Sequence, residues 1–260
     1  KTIKDVDSMH ISRREMVNAY IQNKGEATIK ELEKMFPEVS TMTIRRDLTQ
    51  LEEEGYIVKV RGGAKSIDSL TNIREDAYSS RLMENVDGKT KIAKKAIDYV
   101  ETGRAIYMDS GTTMMCLANM LPDDKFSILT SGPNIALEIL KNNKPSVTIL
   151  GGQINRNNVS ISGISALNFI KSINIDIAFM ATSGFSLENG FTGGNFSECE
   201  LKRAAMEKAN KTIMLMDTVK IGKDMPFTFA TLKDVDILIC DAELPEDVKA
   251  AANKYDVKII

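Results

Sequence analysis

From residue 88 onward the chain alternates short apolar runs with helical stretches, and this rhythm leaves few folds open. The runs are RAIYM (104–108), FSILT (126–130), SVTIL (146–150), DIAFMA (176–181), TIMLM (212–216), DILIC (236–240) and the closing VKII. Between several of them lie TTMMCLANML, NIALEILKN, ISALNFIKS, SECELKRAAMEKAN and PEDVKAAANKY, all of helical character. Strands buried on both faces read as near-continuous apolar runs, and crossover helices supply the cover. The alternation therefore predicts α/β architecture around a mostly parallel sheet. Ligands in such sheets bind beyond the carboxyl ends of the strands.

The first 65 residues follow another pattern. RREMVNAYIQN (13–23) reads as a helix with Met16, Val17, Tyr20 and Ile21 on one face, and GEA breaks it. Thr28 and Glu31 make a capping-box pattern for a second helix, with Ile29, Leu32 and Met35 as its stripe and Pro37 as its stop. Ser40 caps a third helix over about 41–54, which Gly55 ends. YIVKV is a short strand and RGGAK its turn. Three short helices and a β-hairpin predict a winged helix-turn-helix over 1–65. The polar tract 66–87 reads as a linker, with at most weak helix, before a Rossmann-like α/β domain over 88–260.

Composition narrows the chemistry. With 260 residues, 43% hydrophobic, 27% charged and a net charge of −2, the chain is an ordinary globular one. Its longest apolar runs are too short to span a bilayer, and no signal peptide opens it, so a cytoplasmic protein is expected. Cys116, Cys199 and Cys240 are far apart and form no CxxC, which suits reduced thiols. His10 is the single histidine, which excludes Ser/His/Asp triads and histidine-rich metal sites from any pocket. No metal or cofactor is expected. Residues 1–65 hold twelve basic and eleven acidic side chains, so a nucleic-acid reading rests on where charges sit, not on their number.

On the third helix Ile44, Leu48 and Leu51 form one stripe. Stepping around the helix puts Met42, Arg46 and Thr49 opposite it, with Arg45 on the flank. The exposed first turn is what a recognition helix offers to a major groove. Arginine there reads guanine or clamps phosphate, while Glu52–Glu54 lie at the far end. Arg61 and Lys65 in the wing are placed for the DNA backbone or minor groove. The candidate DNA-contacting set is Ser40, Thr41, Met42, Thr43, Arg45, Arg46, Thr49, Arg61 and Lys65.

Polar residues and glycines recur at strand ends. Asp109, Ser110, Gly111, Thr112 and Thr113 follow the first run, and Gly111 lets the backbone approach a phosphate at the next helix start. Thr130, Ser131, Gly132 and Asn134 follow the second. Gly151, Gly152 and Arg156 follow the third, and Thr182, Ser183 and Gly184 the fourth. Glu198 and Lys202 open a helix, and Asp217 and Lys220 follow a further strand. Together these are expected to line one crevice.

VSTMTIRRDLTQLEEEGYIVKVRGGA resembles the winged helix-turn-helix of the DeoR family of bacterial sugar-metabolism repressors. Arg61 stands where that family usually has histidine. The strand-end motifs, in their order, are also similar to the family's C-terminal sensor domain, which resembles ribose-5-phosphate isomerases, and the resemblance to the family covers nearly the whole chain from about Ser12 onward. The resemblance implies a regulator, expected to be a repressor of a sugar or polyol operon, with a phosphorylated sugar or polyol as effector and operator DNA as partner. A homodimer or homotetramer is expected. Carried over, Gly111, Thr112 and Thr113 cradle the phosphate and Asp109 accepts from a sugar hydroxyl. Lys220 is the cationic partner, beside Arg156 and Lys202. Thr130-Ser131 and ECELKR depart from the family's usual strings and leave the ligand's identity open. Two alternatives stand beside this reading. One is an isomerase or deaminase with an accessory domain, using Asp109, Glu198 or Asp217 as base. The other is a DNA-binding protein whose pocket has lost its ligand.

Overall fold

Residues 13–66 and 76–260 are described by the structure, a computed structural model. His10 and positions 67–75 of the polar tract lie outside the described residues. The chain divides into two compact units, Lys1–Arg74 and Glu75–Ile260.

The first unit runs α1 (Arg13–Lys24), β1 (Glu26–Thr28), α2 (Ile29–Met35), α3 (Thr41–Glu53), β2 (Ile57–Val60) and β3 (Gly63–Ser66). Thr28 closes its capping box: the Glu31 amide donates to its hydroxyl at 3.2 Å, and the Thr28 amide donates to Glu31 Oε2 at 2.8 Å. Ser40 Oγ accepts from the Thr43 amide at 3.2 Å. At the other end of α3, Tyr56 N donates to Leu51 O and Gly55 N to Glu52 O, while Gly55 takes φ +78. This pair of bonds is a Schellman motif, which a glycine closes without Cβ strain. Ile44, Leu48 and Leu51 are buried against Val17, Ile21 and Leu32. Met35, expected on the inner stripe of α2, is instead exposed. The helix stops there, and the turn at Phe36 (φ −131, ψ 70) swings the phenyl ring into the core in its place.

GEA does end α1, but it also starts β1, which pairs antiparallel with β3 in the sheet order β1-β3-β2. The wing thus sits on a strand that local sequence did not announce. At Gly63 the two strands come so close that an added Cβ would lie 2.2 Å from Ala27 O. Gly63→Ala is expected to cost about 1–3 kcal/mol through that overlap. Thermal unfolding checks it, and a variant as stable as the parent would refute the close approach.

The second unit begins with α4 (Tyr78–Met83) and α5 (Val86–Ala96), so residues 78–83 and 86–87 of the tract read as linker are helical and belong to this unit. Then follow β4 (Ala105–Met108), α6 (Thr112–Ala118), β5 (Ser127–Thr130), α7 (Pro133–Ile139), β6 (Ser146–Ile149), β7 (Gln153–Asn155), β8 (Ser160–Ser162) and α8 (Ile164–Lys171). Next come β9 (Ile175–Ala181), β10 (Gly184–Ser186), β11 (Gly190–Gly193), α9 (Phe196–Lys208), β12 (Ala209–Met216), β13 (Phe227–Ala230), β14 (Ile237–Cys240), α10 (Glu246–Lys254) and β15 (Lys258–Ile259).

The seven apolar runs form one sheet in the order β15-β14-β12-β9-β4-β5-β6, and all its pairings are parallel. Successive side chains point to opposite faces. Ile177, Phe179, Ile213 and Leu215 therefore join α5, α6 and α7 in one core, while Ala178, Met180, Met214 and Met216 join α8, α9 and α10 in the other. The β7–β8 hairpin and the antiparallel sheet β10-β11-β13 were not foreseen. Their strands span three or four residues each, too few for a clear period. In the latter sheet Phe185 and Phe191 pack with ring centroids 4.7 Å apart.

The chain leaves β4 for β5 and β6 on one side, then returns to β9 on the other. The border between β4 and β9 is the switch point, and the crevice outside its carboxyl ends is where such a sheet accepts ligand. Among the described residues, no helix is long and apolar enough to cross a membrane.

Candidate functional site

In the first unit, the stripe that buries α3 leaves its other face open. Thr41, Met42, Arg45 and Arg46 are exposed, Met42 at 69%. Asp47 points the other way and takes a two-bond fork from Arg13, at 2.7 and 3.2 Å, which fixes α3 against α1. Thr43 is half-buried, and its hydroxyl lies 2.9 Å from Ser40 Oγ, so both serve the helix cap. Thr41 Oγ1 donates to Glu33. Thr49 donates to the Arg45 carbonyl and accepts from Lys59 Nζ at 3.1 Å. Lys65 sits in β3 with its ammonium 2.9 Å from Glu26. Arg61 occupies the exposed wing turn beside Gly62, whose φ is +89. The acidic end of α3 has internal uses. Glu52 accepts from the Lys59 amide at 2.8 Å, and Glu54 pairs with Arg14 at 3.2 Å. Arg45, Arg46 and Arg61 therefore remain as the exposed cations of the predicted set, and Lys65 and Thr49 are already engaged.

In the second unit a cavity opens at the switch point. It is lined by Ser110–Thr113 after β4, by Ala181–Ser183 after β9, by Gly193, Asn195, Glu198, Cys199 and Lys202 around the start of α9, and by Lys220 after β12. Arg81 of α4, Lys89 of α5 and Asn158 of the β7–β8 hairpin complete it. Gly111 takes φ +115 as the chain turns into α6.

Four of the lining side chains are cations, and their surroundings differ. Lys202 Nζ pairs with Asp109 and donates to Ala181 O at 2.9 Å. Burial alone would depress its pKa, but the Asp109 carboxylate outweighs that and raises it. Lys220 lies 3.3 Å from Glu84. Lys89 is 2% exposed, and its ammonium donates to two backbone carbonyls, those of Arg81 and Glu84. Burial depresses its pKa. Arg81 donates to Asp76 O at 2.8 Å and to Asn158 Oδ1 at 3.3 Å.

Two of the carboxylates near the cavity, Glu198 and Asp109, are already bonded within the protein. Glu198 accepts from Asn155, Asn158 and Ser160 at 2.8, 3.0 and 2.6 Å, and its amide donates to the N-cap Asn195. Asp109 is 2% exposed, beneath Lys202, and also accepts from the Ala181 amide at 3.1 Å. It backs the cavity and does not line it, because Lys202 stands between it and the opening. Asp217 is likewise 2% exposed, and burial raises its pKa.

Of the residues expected to converge, Ser110, Gly111, Thr112, Thr113, Thr182, Ser183, Glu198, Lys202 and Lys220 do line the cavity. The rest do not. Thr130 and Ser131 are buried at the end of β5, where Thr130 Oγ1 accepts from the Gly132 amide and Ser131 meets the Tyr107 hydroxyl. Asn134 donates to Tyr78. Gly151 and Gly152 are exposed beyond β6, on the far side of β5 from the switch point, and Arg156 is exposed in the β7–β8 turn, between Asn155, which bonds Glu198, and the lining residue Asn158, without lining the cavity itself. Gly184 starts β10, where an added Cβ would lie 2.3 Å from Lys223 O, so its smallness serves packing.

Arg81, Lys89, Asn158, Ala181, Gly193, Asn195 and Cys199 complete the lining beyond the predicted set. Lys89 had a legible signal: it falls in register with Ile92, Ala93 and Ala96 on the buried face of α5. A lysine on an apolar stripe needs a partner or a ligand. Arg81 had none, since its tract read as linker.

Residues 13–70 match the DeoR-like helix-turn-helix domain, and residues 84–242 match the DeoR C terminal sensor domain. The HTH-type transcriptional regulator GolR of Listeria innocua serovar 6a is 34% identical over 236 residues, covering 89% of this chain and 91% of that protein. A putative aga operon transcriptional repressor of Escherichia coli O157:H7 is 28% identical, covering 95% of this chain and 92% of that one. A solved ribose 5-phosphate isomerase A of Methanocaldococcus jannaschii aligns at 18% identity with a TM-score of 0.40, over 54% of this chain and 56% of that one. The family match takes in the groove-facing helix and the switch-point cavity alike, and the chain belongs to the DeoR family of DNA-binding transcriptional regulators.

Proposed function

We propose that the switch-point cavity takes a phosphorylated sugar or polyol, and that its occupancy sets how tightly a homo-oligomer holds its operator, with repression as the unliganded state. One observation carries the anionic part. Lys89 is buried at the cavity with backbone carbonyls as its bonded acceptors, and no carboxylate lies within ion-pair distance among the described residues. A buried ammonium bonded to neutral oxygens favours a nearby anion, and Asp217 and Glu84, the carboxylates whose fields reach Lys89, offset its charge only from beyond ion-pair distance. The Ser110–Thr113 loop adds backbone amides that have no helical acceptor. Asn158, Asn195, Thr182 and Ser183 supply neutral groups suited to hydroxyls.

The same geometry argues against catalysis. A general base must reach the substrate's proton with a spare acceptor. Asp109 is covered by Lys202, Glu198 already accepts three bonds, and Asp217, though one of its oxygens has no hydrogen-bond partner, is buried and does not line the cavity. A relative named as a repressor supports the sign of regulation.

The test is thermal unfolding of the full chain against pentose, hexose and polyol phosphates, each beside its unphosphorylated parent. A phosphate at 100 times its dissociation constant should add about 2.7 kcal/mol, a rise of about 5–10 °C for the sensor unit. Stabilisation by a parent sugar and by no phosphate would overturn the anionic reading. NMR of the stabilising ester, unchanged over hours with protein present, is expected of a sensor; turnover would overturn it.

A further inference from the structure

One wall of the cavity is the stretch of the second unit that follows residues 67–75, the direction in which the chain leads to the DNA-binding unit. Helix α4 has no buried residue, so its place depends on polar links more than on packing. Tyr78 holds its start through Asn134 and the Asn157 carbonyl, and the charged links gather at its corner with α5. Glu84 pairs with Lys220 at 3.3 Å. The Lys89 ammonium holds the carbonyls of Arg81 and Glu84. Asn85, in the left-handed region at φ 43 and ψ 48, donates to Asp241 at 3.2 Å. Arg81, one turn earlier, lines the cavity.

Lys220 thus faces two ways, toward Glu84 on the corner and into the cavity. An anion in the cavity competes with Glu84 for that ammonium and repels its carboxylate at short range. Glu84 is 38% exposed, so once released it has water to turn to.

We infer that the α4–α5 corner is an effector-gated latch, in which a phosphate entering the cavity takes Lys220 from Glu84 and the loosened corner carries ligand occupancy to the chain that leads to the DNA-binding unit. The inference rests on the proposed phosphate effector. It makes Glu84 a regulatory residue, one that weakens ligand binding so that binding can do mechanical work.

Hydrogen exchange on the full-length chain tests it, with inorganic phosphate and the most stabilising ester of the thermal panel as probes. In the parent protein, either probe at saturation should speed amide exchange across residues 78–89 about two- to fivefold, the loss of one partly exposed ion pair. Unliganded Glu84→Gln should already show the faster exchange, and should bind both probes about two- to fivefold more tightly. A parent that binds a probe but keeps the segment's exchange unchanged or slower overturns the latch alone. So does an unliganded Glu84→Gln variant that exchanges like the parent. A parent that binds neither probe overturns the effector reading, and the latch with it.

Discussion

Lys202→Met is expected to lower the stability of the second unit by about 3–5 kcal/mol, because it strands a carboxylate that is out of reach of water. Asp109 is 2% exposed, and Lys202 is its ion-pair partner. Removing the ammonium leaves the Ala181 amide as the remaining bonded donor and opens the Lys202–Ala181 O bond as well. At about 2–4 °C per kcal/mol for a unit of this size, the melting temperature should fall by about 6–20 °C. The double variant Asp109→Asn with Lys202→Met should recover most of that loss. The amide keeps an acceptor for Ala181 and carries no charge, so a non-additive cycle is expected. A single variant within about 1 kcal/mol of the parent would refute the buried pair. The pH dependence has a defined sign. The pKa of Lys202 is raised in the folded state. Its contribution is therefore complete below the ordinary lysine value of about 10.4 and is lost as pH climbs through the folded value.

Arg45→Ala and Arg46→Ala should each weaken operator binding and leave the fold intact. Both side chains are exposed on α3, which is held by the opposite stripe and by the Arg13–Asp47 fork. Stability should change by no more than about 0.5 kcal/mol. A bidentate contact to guanine is worth about 1–3 kcal/mol, a loss of about five- to 150-fold in affinity. Salt dependence tells the two kinds of contact apart. An arginine on phosphate lowers affinity evenly across sequences and reduces the salt slope by about one counterion, while one on a base relaxes specificity at one position. The measurement is a salt series against duplexes selected from a random pool. The response of each variant to the stabilising ester should match the parent's. Retained affinity in both variants at moderate salt would remove α3 from the groove.

Local chemistry was enough to read much of this molecule. Ser40, the stripe Ile44–Leu48–Leu51 and Gly55 mark out α3 because caps and helical period act within a few residues. The inner apolar runs read as strands because a parallel strand covered on both faces must be apolar throughout, and the edge runs β6 and β15, largely exposed, read as strands by their β-branched residues. Short segments such as β1, β8 and β13 escaped, since three or four residues carry no period and take their strand form from a distant partner. Phe36 took the core place expected of Met35 for a related reason: a single turn angle after a helix decides which side chain enters the core.

The site divides along the same line. Gly111, Thr112, Thr113, Glu198, Lys202 and Lys220 were legible as polar residues at strand ends and helix starts. Which of those ends share a cavity was not, because strand order is set by pairings between residues far apart in the chain. That order puts the ends of β4, β9 and β12 around one crevice and carries Thr130, Gly151 and Gly152 away from it. It also brings Arg81 and Lys89, from a tract without strands, to the cavity wall. The sequence by itself determined the elements and the kind of chemistry, since caps, periods and charges are local. Only the tertiary structure decided which charges meet, because burial and long-range pairing alone turn Lys202 into the cover of Asp109 and Lys220 into a group shared between a ligand site and Glu84.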